Sequence, residues 1–139
     1  MKRLLTRFLL MTMLFMGVTT VWAQKSVLDE SFASGLPTGW TAGSYWKFQD
    51  GNAKFEALVE NGKDTLSTPL LSLSALENKP SVAITYSNAA NGSKVNSLKV
   101  LYRASEDAEW SDLIAFDEGT EGQAQWKGEL PEGLQNVQI

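Results

Sequence analysis

Behind residue 24, almost every stretch of this chain is a short β-prone run stopped by turn chemistry, and that spacing limits the folds open to it. Residues 27–32 open the series. Tyr45, Trp46, Lys47 and Phe48 then run into Asp50-Gly51-Asn52, a hairpin signal because glycine takes positive φ at no steric cost. Residues 54–58 alternate polar and apolar before a turn at residues 60–63. Residues 65–68 stop at Pro69, which cannot donate to a central ladder. Residues 82–86 are β-branched and aromatic, and residues 97–103 alternate strictly enough to keep one wet face. Runs at 110–116 and 123–130 complete the set, separated by polar loops at 88–94 and 117–122. The sole helical candidate, residues 72–79, is short, ends before Pro80 and is expected to make at most one turn. Eight or so strands so spaced predict an all-β fold, an antiparallel β-sandwich.

Residues 1–23 read as a signal peptide. Lys2, Arg3 and Arg7 precede an apolar run over residues 8–18, and Val21-Trp22-Ala23 is a small-residue cleavage site. A membrane span needs about 20 apolar residues, roughly twice this run. Cleavage leaves residues 24–139 as one domain and no segment to insert in a membrane. It removes three of the 12 basic residues and none of the 16 acids, so nine basic residues then face 16 acids and the net charge moves from −4 to −7. Such a surface argues against nucleic acid and anionic lipid as partners. It leaves divalent cations, neutral glycans and basic protein patches.

The chain has neither histidine nor cysteine. Disulfides, a Cys-based lipid anchor, a Ser–His pair, a Cys nucleophile and His- or Cys-bound zinc are therefore all excluded within it. A carboxylate pair for glycoside cleavage remains, but among 16 acids some pair at a suitable distance means little without geometry. The expectation is a protein without catalytic activity.

Four places resemble the choice-of-anchor J, or cleaved-adhesin, family, the MAM-like jelly roll of gingipain haemagglutinin-adhesin regions. The first is Glu30-Ser31-Phe32 leading to Leu36-Pro37-Thr38-Gly39-Trp40. The second is Thr65-Leu66-Ser67-Thr68-Pro69 before the hydrophobic stretch Leu70, Leu71 and Leu73. The third is the run pair 82–87 and 98–103 before the turn Ser105-Glu106-Asp107, and the last is Trp110, with residues 134–139 beginning a further strand. Order and spacing carry the likeness, over nearly all of the chain from residue 27 onward.

The resemblance implies a jelly roll at an outer cell surface or outside the cell, serving adhesion. Its partners would be host matrix proteins or glycans. A carbohydrate-binding accessory domain of a secreted hydrolase and a structural spacer are the alternatives. Family domains continue through a Gly-rich strand to an Asp-Asp pair, whereas this chain stops at Asn136-Val137-Gln138-Ile139. The expectation is a domain lacking its last strand or strands, the alternative being that Val137 and Ile139 close the sheet themselves. The family often holds a structural calcium between acids of the first and last strands. Glu30 stands at the first position, with Asp29, Asp50 or backbone carbonyls as further oxygen ligands.

Trp110 and Trp126 are candidate ligand-binding residues, since tryptophan offers sugars a flat apolar face, although core packing accounts for them about equally well. Trp40 and Phe32 are expected in the core. Asp64-Thr65-Leu66 resembles the Asp-Ser/Thr-apolar sequence O-glycosylated in bacteria with type IX secretion, which marks Thr65 for glycosylation. The acid-rich run 106–121 reads as a solvated loop face rather than a cation-binding loop.

Overall fold

The computed structural model describes residues 25–57, 62–89 and 96–139, and every regular element in them is a β-strand. The signal-peptide reading therefore falls outside the described residues. So do the first half of the 60–63 turn and most of the 88–94 loop. The strands are β1 (Thr41–Ala42), β2 (Trp46–Gln49), β3 (Asn52–Phe55), β4 (Leu66–Ser67), β5 (Leu71–Ser72), β6 (Ser81–Tyr86), β7 (Leu98–Tyr102), β8 (Ser111–Phe116), β9 (Ala124–Glu129) and β10 (Asn136–Val137). All pairings are antiparallel: β1 with β4, β2 with β3, β5 with β10, β6 with β9 and β7 with β8.

Local chemistry accounts for the hairpins. Asp50 and Gly51 take φ of 53° and 72° between the paired Gln49 and Asn52, the twist-matched two-residue turn that their types favour. Pro69 separates β4 from β5 because it lacks the N–H of a continuous ladder. Past Ser72, the end of β5, residues 73–79 form turns and bends, with the Leu76 amide donating to the Leu73 carbonyl, as so short a run before proline allows. The β7–β8 ladder shifts register between Val100 and Leu101, which leaves Leu113 as an extra residue against the core.

One expectation changes. Residues 27–32 form no strand. Glu30 Oε1 instead accepts the amides of Ser31 (3.0 Å) and Phe32 (2.7 Å), and Phe32 turns the backbone left-handed at φ 54°. A carboxylate that captures neighbouring amides competes with a ladder. Residues 136–139 are paired on both sides. β10 lies along β5, the amide of Thr68 donates to the Ile139 carbonyl (2.8 Å), and Arg103 exchanges backbone hydrogen bonds with Gln138 (3.0 and 2.9 Å). Val137 and Ile139 thus close the gap between the 66–72 segment and β7.

Leu73, Leu130 and Val137 centre the apolar core, with Leu71, Val82, Tyr102, Leu113, Leu134 and Ile139 packed around them. The core takes residues from both the β6–β9 pair and the β5, β7, β8 and β10 group, an arrangement consistent with a β-sandwich. A separate aromatic cluster closes over β2. Phe32 meets Trp40 edge to face (5.3 Å) and Phe48 at 5.8 Å; Trp40 and Phe32, expected in the core, are instead half-buried in this cluster outside it.

Candidate functional site

Trp110 stands just before β8, opposite Arg103 at the loop end of the β7–β8 hairpin. Tyr102 and Ser111 are the last paired residues, so Arg103 and Trp110 are the next to face each other. The guanidinium lies over the indole, 4.6 Å from the ring centroid, and the indole remains 41 % exposed. Arg103 is held from three directions. Its backbone is bridged to Gln138, its Nε donates to Gln138 Oε1 (2.7 Å), and its Nη1 donates to the Glu106 carbonyl across the turn. A large aromatic is thereby shown to solvent beside a cation that is already positioned. Arg103 escaped the sequence reading, although its place opposite Trp110 across a hairpin was the available signal.

Trp126 has a different setting. It lies half-buried on β9 opposite Ile84, edge-on to Phe116 (5.9 Å, 77°), and Phe116 stacks on Tyr86 (4.2 Å, 29°). Its ring covers the α-carbon of Gly128, where a Cβ would come within 2.2 Å of Cζ2. Phe116 ends β8 and Trp110 directly precedes it, about 20 Å of extended chain apart. The two tryptophans do not form one platform.

Glu30 is exposed and uses Oε1 on its own loop amides. Among the described residues no group of three or more Asp and Glu side chains is gathered as a metal would need. In the acid-rich run, Asp112 pairs with Lys99 (3.6 Å) and Asp117 Oδ1 accepts the Ser97 hydroxyl.

Thr65 is exposed, beside an Asp64 that is fully occupied. Asp64 Oδ2 accepts the Tyr45 amide (2.7 Å) and Oδ1 the Thr65 amide (2.9 Å). Hydrogen bonding from Lys79 holds the Glu129 carboxyl below its ordinary range and raises Lys79 in turn, while Lys54 lowers Glu56 in the same way. These pairs lie at the surface.

No family model matches this chain, and comparison with curated proteins and with solved structures finds no match either.

Proposed function

We propose that this chain is an exported, non-catalytic binding module of a bacterial cell-surface or secreted protein. Its strands would follow a jelly-roll course of the choice-of-anchor J kind. The observation that carries the reading is the exposed Trp110 with Arg103 stacked on it and locked by Gln138. Binding hot spots are enriched in tryptophan and arginine, and a side chain already ordered loses little entropy on contact. The lack of histidine and cysteine supports a role without catalysis. The acidic surface suits host matrix proteins with basic patches better than nucleic acid.

The test is solid-phase binding of the full chain to a panel of matrix proteins. Trp110→Ala should weaken binding to the recognised protein by about tenfold or more while leaving the thermal midpoint within about 2 °C. No binding to any matrix protein or glycan would instead favour a spacer between an anchor and a working domain. The half-buried rings at Trp126 favour a second reading, a carbohydrate-binding accessory domain.

A further inference from the structure

At the other end of β8 from Trp110, a groove of about 460 Å³ is lined by Tyr86, Ala115, Phe116 and residues 117–120. That volume falls among those of small-molecule sites, roughly 300–1,000 Å³. One wall is aromatic, formed by the stacked rings of Tyr86 and Phe116, and Trp126 supports Phe116 edge-on without lining the groove.

The rim is polar and held in place by Asn88, which is buried. The Asn88 amide donates to Thr120 Oγ1 (2.8 Å), and its carbonyl accepts the Thr120 amide (2.9 Å). Its side-chain nitrogen donates to the carbonyls of Asn96 (2.5 Å) and Glu118 (3.3 Å), and Ser97 holds Asp117. The loop bearing Asp117, Glu118 and Thr120 is therefore ordered by the fold itself, which lowers the cost of binding.

The ligand class follows from this chemistry. Rings stacked at 4.2 Å and 29° leave no space between them for a cation, so they do not form an aromatic cage. The Asp117 and Glu118 carboxylates repel phosphate and uronate groups, but accept hydrogen bonds from neutral hydroxyls. A flat apolar wall beside hydroxyl acceptors matches a pyranose, with its C–H face and its ring of hydroxyls. We infer that the Tyr86–Phe116 groove binds a neutral saccharide, an inference that rests on the binding-module reading and gives that module a second site away from Trp110.

The test follows amide NMR shifts of the full chain during titration with cellotetraose, mannotetraose, xylotetraose and chitotetraose, with tetragalacturonate as the acidic probe. At least one neutral probe should shift the amides of Ala115, Phe116, Gly119 and Thr120, and tetragalacturonate should not. Phe116→Leu, which keeps apolar bulk and removes the flat ring, should weaken that binding about tenfold. Glu118→Gln, at an exposed position whose carboxylate has no hydrogen bond or ion pair among the described residues, should weaken it about threefold and serves if Phe116→Leu unfolds. The inference falls if no neutral probe moves these amides at about 10 mM, since affinity weaker than that is negligible. It falls equally if tetragalacturonate binds as well as the neutral probes, or if the shifts centre on Trp110. Retained binding to a matrix protein alongside any of these results would leave the binding-module reading standing and remove only the groove.

Discussion

Asp64 and Gly43 form a unit that neither residue suggests alone. The carboxylate accepts the amides of Tyr45 and Thr65, and to reach them it lies against the Gly43 α-carbon, where a Cβ would come 1.5 Å from Oδ1. Gly43 in turn donates its amide to the Thr65 carbonyl (2.9 Å), extending the β1–β4 pairing. Asp64→Ala should cost about 1–3 kcal/mol, because the Tyr45 amide is part-buried and loses its acceptor. Gly43→Ala should cost a similar amount by displacing the carboxylate. The double variant should cost clearly less than the sum, since once the Asp64 carboxylate is gone the new methyl no longer collides with it. Urea denaturation of the four proteins measures this coupling, and simple additivity would refute it. The role in folding also accounts for an aspartate before Thr65 without any modification of that threonine.

Among the elements, β10 and the Gln138 that follows it have a reach out of proportion to their length. Gln138, only 8 % exposed, donates from Nε2 to the Thr68 carbonyl (2.7 Å) and accepts Arg103 Nε at Oε1, while its backbone bridges Arg103. One side chain thus ties the 66–72 segment to the end of β7 and also fixes the cation on Trp110. Gln138→Ala strands a buried carbonyl and a guanidinium N–H, and should cost about 2–3 kcal/mol in denaturant unfolding. Trp110 fluorescence should change in the folded variant as the guanidinium loosens, which a purely packing role for Gln138 would not produce. Alternation identifies a strand, but its neighbours are set by residues 30 to 70 positions away.

At the scale of the molecule, few apolar side chains are fully enclosed. Among the described residues Leu73, Val100, Leu130 and Val137 are the buried hydrophobic ones, and no disulfide supplements them. The full chain should therefore unfold cooperatively below about 65 °C, the upper mesophile range, and a higher midpoint in a calorimetric scan would contradict this. The surface pairs set the pH response. Lys54 and Lys79 hold Glu56 and Glu129 below the ordinary 4.5, so their contribution is complete above that value and is lost as the pH falls through the lower folded values. Lys79 is raised above 10.5, so its contribution is present below that and lost as the pH rises further. Thermal midpoints should be level from about pH 6 to 9 and decline below about pH 4.5. The acid decline should shrink in about 1 M salt, because these pairs are solvent-exposed and screened.

The amino-acid sequence determined what depends on neighbours along the chain. The strands around 46–49, 81–86, 98–102, 111–116 and 124–129, the Asp50-Gly51 turn and the break at Pro69 were legible there. Each rests on alternation, β-branching or a residue whose φ is restricted. The missing histidine and cysteine likewise excluded whole classes of chemistry before any geometry was known. Tertiary structure decided the rest. Glu30 and Phe32 satisfied the pattern of a strand, yet a carboxylate taking its own loop's amides turned the chain aside. Trp110 and Trp126 were equivalent as sequence, each flanked by polar residues on an alternating run. Only the packing of β6, β8 and β9 sheltered one against Phe116, and only the hairpin register placed Arg103 on the other. Burial and partner choice are properties of contacts between distant residues, and no local pattern carries them.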